Sequence, residues 1–332
     1  MNDFFWEKDF TDWVTTKSSK PLFKGHAQPH TPTELGFYDL SDPSVIENQS
    51  KLAIDHGIDG FGVYNYIFDE STVALGTPLK NLRNNPSIDI EYFICWVNAD
   101  WTKIWTGNHD TVIYKQKYSM DLYKKVADNA IWHFLDSRYF KLDNKPVFYI
   151  HNPRHMEIKS FKEVFMAVAS KNGFHKILFA APQIHVLQDQ QEEFDYLLGY
   201  PPGDIPLSPF KINSEKFRVI KKGVFSFSKY AAEYPDLIKP TFRNKKFIPT
   251  ILSGWDNTPR YKKNGFAFYD FDHESFSLLF DSILDESIKS NRDFLMVKAW
   301  NEWAEGNVLE PSVRHGNKLL EGIKHSKQKY DI

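Results

Sequence analysis

With 332 residues, 42% of them hydrophobic and 25% charged, the chain has the makeup of a folded globular protein, which excludes wholesale disorder. A net charge of -2 with scattered basic residues excludes a strong field for nucleic acid or anionic membrane, and no apolar run approaches the ~18 residues that span a bilayer. The lone cysteine, Cys95, excludes an intrachain disulfide and a Cys-rich zinc site. The N-terminus lacks a basic stretch followed by an apolar one, so a cytoplasmic location is expected.

Apolar runs rich in β-branched and aromatic residues predict strands at 60–66, 90–97, 146–151, 176–181, 194–200, 247–252 and 294–300. Amphipathic stretches at 43–56, 120–137, 158–172 and 273–290 predict helices between them. The first helix opens on Ser41-Asp42-Pro43, a capping residue with proline in the first turn. Strands alternating with helices imply parallel βα units, and no repeat or flexible linker interrupts them, so one domain over 1–332 is expected. An open doubly wound sheet competes with a barrel. Two features favour an α/β fold of the (β/α)8 TIM-like barrel class. The run count of seven is close to eight, and polar and aromatic residues gather at the C-terminal end of nearly every run. No Gly-rich phosphate fingerprint follows any of them, so a nucleotide-binding doubly wound fold lacks its usual signature. Seven runs leave the barrel one strand short, and the first strand is expected before residue 1.

The aromatic content, 16% with 9 Trp and 16 Tyr, is high, and many of these residues adjoin Asn, Asp or Glu. Flat apolar faces beside short hydrogen-bonding groups suit a sugar ring, although each aromatic taken singly also reads as core or rim packing. At 294–306 a strand ends in Trp300-Asn301-Glu302-Trp303-Ala304-Glu305-Gly306, two carboxylates three positions apart beside tryptophans. Cleaving a glycosidic bond takes one proton donor and a second carboxylate, and apolar neighbours separate their pKa values. A solvated acid pair on a βα loop is the other reading of this spacing. Trp255, Asp256, Asn257 and Arg260 lie in Ser253-Gly-Trp-Asp-Asn-Thr-Pro-Arg260, as sugar contacts or simply as turn chemistry. Trp96, Asn98, Asp100 and Trp101 follow the second run, and Tyr64 and Tyr66 end the first. With Trp300, Asn301, Trp303 and His30 these make up the candidate substrate-binding set. His26 and His30 lack metal-ligand spacing, so a polar contact or loop brace is expected of them, with no metal and no cofactor. No Gly-x-Ser-x-Gly elbow is present, and Cys95 reads as core.

Segments 2–13, 25–40, 57–68, 96–105, 254–260 and 299–311, in that order, resemble the glycoside hydrolase family 99-like, WbsX-type proteins associated with bacterial surface polysaccharide. The resemblance implies a (β/α)8 barrel with retaining chemistry like that of endo-α-mannosidases. By it Glu302 would be the base that draws the proton from the sugar's own 2-hydroxyl, forming a 1,2-anhydro sugar. Glu305 would be the acid to the leaving oxygen and then the base for water. Three departures stand out: the family's opening strand is missing, its Tyr-His-Tyr is here Tyr64-Asn65-Tyr66, and its Asn-Glu-Asn-Trp-like run is here Asn98-Ala99-Asp100-Trp101. The expected function is a glycoside hydrolase acting on a bacterial surface polysaccharide or α-mannoside-like glycan. The alternatives are a glycosyltransferase of O-antigen or lipopolysaccharide biosynthesis, or an inactive carbohydrate-binding barrel. The expected partner is an oligosaccharide or polysaccharide.

Overall fold

In the computed structural model, residues 10–108 and 110–332 are described, so 2–9 of the family-like segment 2–13 lie outside the described residues. The chain forms two compact units. One comprises Asp39–Trp101 and Ile113–Gly199; the other comprises the described part of Asn2–Tyr38 with Thr102–Val112 and Tyr200–Ile332.

The first unit is built on parallel strands β1 (Gly60–Ile67), β2 (Glu91–Trp96), β3 (Lys145–Ile150), β4 (Leu178–Pro182) and β5 (Tyr196–Leu198), paired in that order. The register sets Tyr64 beside Cys95, Cys95 beside Tyr149, Phe148 beside Phe179 and Ala180 beside Tyr196. Tyr92 through Trp96 are all buried, as expected of a parallel strand covered on both faces. Helices Met120–Phe134 and Ile158–Lys171 pack on one another and cover the sheet with Phe134, Phe161 and Phe165, which meet Phe148 and Phe179 at ring separations of 4.9 to 6.5 Å. Ser119 caps the first of these helices by accepting from the Leu122 N–H at 2.9 Å. Asp42, with Pro43 behind it, caps Pro43–Asp55.

In the second unit the run 247–252 is strand on both sides of Pro249, and Thr250–Leu252 (β6) pairs in parallel with Met296–Lys298 (β7). A second parallel pair, Val224–Phe225 with Ala267–Phe268, was not expected, because two-residue strands carry no readable periodicity. Helices Phe227–Ile238 and His273–Lys289 bury Phe227, Tyr230, Ala231 and Tyr234 on one and Phe276, Leu279, Phe280 and Ile283 on the other, the three-and-four spacing of one helical face. Among the described residues no helix is long and apolar enough to cross a membrane.

Candidate active site

Beyond β7 the chain turns back on itself. Asn301 pairs with Val308 and Glu302 with Asn307 in a short antiparallel ladder, closed by a 3-10 turn at Trp303–Glu305. Gly306 ends the turn at φ +59, and a Cβ there would stand 2.9 Å from both the Asp256 nitrogen and His30 Nε2. The Asp256 N–H instead donates to the Glu305 carbonyl at 2.6 Å, which pins the hairpin to the loop after β6. Glu302 and Glu305 thus leave the turn within reach of one cation.

That cation is Arg260, on the four-residue helix Thr258–Tyr261. Its Nη1 donates to Glu305 Oε1 at 2.6 Å, while Nη2 donates to Glu302 Oε2 at 3.0 Å and to Asp12 Oδ2 at 2.8 Å. Three carboxylates therefore share one guanidinium, an excess of negative charge that works against ionising all three. Side-chain exposure separates them: 15% for Glu305, 31% for Glu302, 34% for Asp12 and 6% for Arg260. Burial pushes the Glu305 carboxyl up; Arg260 holds it down and Glu302 raises it again, leaving it above the ordinary value. Asp12 is also raised, by burial opposed by Arg260. Burial disfavours the charge on Arg260, but Glu305, Asp12 and Glu302 outweigh it and hold the guanidinium charged. On the far side of the helix Gly107, at φ +81, lies so close that a Cβ would meet the Arg260 carbonyl at 2.6 Å.

A second layer fixes the loop that carries Arg260. The Leu22 N–H donates to His26 Nδ1 at 3.0 Å, so the proton of His26 is on Nε2, which donates to Asp256 Oδ2 at 2.7 Å. Gln28 Nε2 donates to the same oxygen at 2.6 Å, and the Thr258 N–H and hydroxyl take Oδ1 at 3.0 and 2.6 Å. Burial works against the charge of Asp256, and the hydrogen bonds from His26 and Thr258 together with the nearby histidines outweigh it, so its carboxyl lies below the usual value. Both oxygens of Asp256 are thus engaged within the protein. Asn257 is buried too, its Oδ1 accepting from the Phe266 N–H at 2.9 Å. Trp255 is buried against Phe266, ring centroids 5.6 Å apart. His30 faces a cavity of about 20 Å³ shared with Trp255, Asp256 and Arg314, room for one water-sized molecule and too little for a sugar.

Behind the hairpin, Tyr38 donates to both Glu310 oxygens at 2.9 and 3.1 Å, Asn301 Nδ2 donates to Tyr38 Oη at 3.1 Å, and Trp303 Nε1 donates to Glu310 Oε2 at 2.6 Å. Trp13 leans on Trp303 at 5.6 Å. Asn301 and buried Trp303 therefore orient the two glutamates from behind, and Trp300 stays half-buried at the end of β7. Lys298 places its ammonium 3.8 Å over the Tyr200 ring and helps hold the Glu305 carboxyl down.

The remaining expected residues belong to the first unit. Trp96 is fully buried, stacked on Phe161 at 5.4 Å with Nε1 donating to the Ile67 carbonyl at 3.0 Å, so its face is occupied by the core. Asn98 is also fully buried and is bonded to Asn152 through both ends of its carboxamide. Trp101 packs between Tyr66 and Phe68, each at 5.4 Å, while Tyr64 and Tyr66 are half-buried and Asp100 is exposed. Cys95 lies buried in β2, which pushes its thiol up. Among the described residues no group of three His, Cys, Asp or Glu side chains is arranged to hold a metal ion.

Sequence reasoning missed Asp12, Tyr38, Lys298 and Glu310. For Asp12 a signal was present, since Asp12-Trp13 repeats the acid-beside-tryptophan pairing of Glu302-Trp303. Tyr38 and Glu310 meet only in three dimensions.

Solved structures share the fold, two of them as follows. The GH99 endo-alpha-mannosidase from Bacteroides thetaiotaomicron superposes with a TM-score of 0.59 at 15% identity, covering 91% of this chain and 84% of its own. A structure described as a glycoside hydrolase-like protein gives 0.62 at 15% identity, covering 96% and 99%. The chain is thus an α/β protein of the (β/α)8-barrel class found among carbohydrate-active enzymes. Residues 1–323 match the family described as "Glycosyltransferase WbsX", and the chain belongs to that family. It is 27% identical over 333 residues to the uncharacterized protein WxcX of Xanthomonas campestris pv. campestris strain B100, and 27% over 334 residues to its counterpart in strain ATCC 33913. These alignments take in 98% of this chain and 47% of each relative, so the chain spans about half the length of the curated relatives it matches.

Proposed function

We propose that the chain is a glycoside hydrolase of a bacterial surface polysaccharide or α-mannoside-like glycan, with Glu302 and Glu305 as its working carboxylates. The observation that carries this reading is the convergence of both glutamates on the buried Arg260, with Glu305 raised above its ordinary value. Glu305 gives its proton to the leaving glycosidic oxygen, and Arg260 then stabilises the carboxylate left behind. Glu302, the more open of the pair, draws the proton from the sugar's 2-hydroxyl, whose oxygen closes on the anomeric carbon as the leaving bond breaks. Water opens the resulting 1,2-anhydro ring, giving a proton to Glu305 while the 2-hydroxyl regains its own from Glu302. The half-buried Trp300 offers an apolar face for the sugar ring.

The test is incubation with an α-mannan and surface-polysaccharide panel, scored for new reducing ends, beside Glu305→Gln. Product from the wild type alone supports the assignment; full activity in the variant would sink it.

The family's description as a glycosyltransferase favours a second reading, in which an acceptor hydroxyl replaces water at the same carboxylates. Products longer than the supplied acceptor, with no new reducing ends, would identify it.

A further inference from the structure

Along the sequence Lys221-Lys222 and Lys262-Lys263 are separate pairs, and the fold of the second unit makes them neighbours. The Lys221 N–H donates to the Lys263 carbonyl at 2.8 Å, and just beyond it Val224–Phe225 runs parallel to Ala267–Phe268. Segments 211–222 and 261–265 are thus stitched into one surface. Together they carry seven basic residues and one carboxylate, Glu215, in a chain whose net charge is -2. Glu215 lies 3.5 Å from Arg218, and Lys262 donates to the Pro259 carbonyl at 2.8 Å. Lys216, Lys221, Lys222 and Lys263 are exposed, and among the described residues none of the four has an ion-pair partner. Like charges gathered this way repel one another, and a bound polyanion relieves that repulsion.

Two of these ammonium groups sit beside aromatic rings. Lys216 Nζ lies 4.6 Å from the centre of the Tyr269 ring and Lys222 Nζ 5.6 Å from that of Tyr261, and both tyrosines are half-buried. Tyr261 follows Arg260 on the helix Thr258–Tyr261, so the patch begins one residue beyond the cation that holds the paired glutamates.

We propose that this face holds a polyuronate strand, an acidic polysaccharide whose carboxylates meet Lys216, Lys221, Lys222 and Lys263 and whose rings lie against Tyr261 and Tyr269. The proposal rests on the glycan-cleaving reading of Glu302 and Glu305 in one respect, that the strand so held is the substrate leading to them. Single carboxylates spaced along a chain suit lysine, a point charge, whereas phosphate tracks favour the fork of arginine, and the one arginine of the patch is engaged by Glu215. A membrane surface would take exposed apolar anchors, and the neighbouring Leu22, Ile212 and Val219 are half-buried against Phe217, Ile220 and Val224.

The test is titration of the full chain with polygalacturonate at low and high salt, beside neutral α-mannan, a single-stranded DNA oligomer and vesicles of anionic phospholipid. Polygalacturonate should bind, and bind more weakly as salt rises. Reversing two charges of the patch, Lys221→Glu with Lys263→Glu, should weaken that binding about tenfold or more. The same change of net charge elsewhere, Lys124→Glu with Lys125→Glu on the exposed face of the helix Met120–Phe134, should leave it unaltered. Thermal melts establish that each variant folds, and should the patch pair fail to fold, Lys222→Ala decides by a several-fold loss. Binding is read without turnover, so the two readings fail separately: cleavage of the glycan panel without polygalacturonate binding sinks the patch alone, and binding without any cleavage sinks the hydrolase alone. Three further results overturn the patch: equal losses in the patch and control pairs, affinity unchanged in the folded patch variants, or DNA or vesicles bound as tightly as polygalacturonate.

Discussion

Arg260 Nη1 stands 2.6 Å from Glu305 Oε1, and the same guanidinium reaches Glu302 and Asp12 through Nη2. A fork of fixed geometry is needed for this, because a lysine ammonium cannot face three carboxylates in one plane. Arg260→Lys is therefore expected to fold yet lower kcat/KM about a hundredfold, the scale of a misplaced reacting group. Arg260→Met leaves the carboxylates without their cation and is expected to cost about 3–5 kcal/mol of stability. Steady-state kinetics and chemical denaturation separate the two effects. An Arg260→Lys enzyme with wild-type kcat/KM would remove the fork from the mechanism.

Glu305 is raised in the folded protein, chiefly by burial. A carboxyl whose folded pKa exceeds its unfolded one favours folding while protonated; that contribution is complete below the unfolded value and is lost as pH rises through the folded one. Glu305→Gln keeps an acceptor for Arg260 without the charge. The variant should lose about 10²–10⁴-fold in turnover while melting at or above the wild-type temperature near neutral pH. Its advantage should grow as pH climbs from the ordinary carboxylate range through the folded pKa, then level off. A melting profile parallel to wild type at every pH would contradict this account.

Much of the scaffold was legible because parallel strands covered on both faces read as apolar runs. All seven expected runs contain strand, and the helices beginning at Pro43, Met120, Ile158 and His273 start where periodicity placed them, the first also where its cap did. The pair Val224–Phe225 with Ala267–Phe268 is too short to leave a pattern. Within the site, Glu302, Glu305 and Arg260 stand out as charged residues in aromatic surroundings, and the structure brings them into contact. Sequence does not tell a polar residue that faces a ligand from one that braces a loop. Asp256 and Asn98 have the composition of sugar contacts, yet their side chains are buried and bonded within the protein. Asp12 is 248 positions from Arg260, and only folding joins them.

Gly306 ties the hairpin to the Arg260 loop. Gly306→Ala is expected to cost about 1–3 kcal/mol from its left-handed backbone, and more because the added methyl would meet the Asp256 nitrogen and His30 Nε2. Gly36→Ala is the matched control: Gly36 has φ +62, and a Cβ there meets nothing within 4 Å. Denaturation of both variants isolates the close approach from the backbone term, and equal losses would mean that the hairpin yields freely.

Asp12 is the third carboxylate on Arg260, and its charge is among the influences that raise Glu305. Asp12→Asn preserves an acceptor for Nη2 and deletes that charge, so Glu305 should become a stronger acid. If Glu305 must be protonated to release the leaving group, the alkaline limb of kcat/KM then moves to lower pH, and activity near neutrality falls several-fold. A residue that merely propped up the loop would behave differently, scaling kcat/KM down alike at all pH values. The pH–rate profile thus separates a positioning residue acting through Glu305 from a passive brace: an unmoved alkaline limb would assign Asp12 to the scaffold, and a limb moved to higher pH would reverse the sign of its coupling to Glu305.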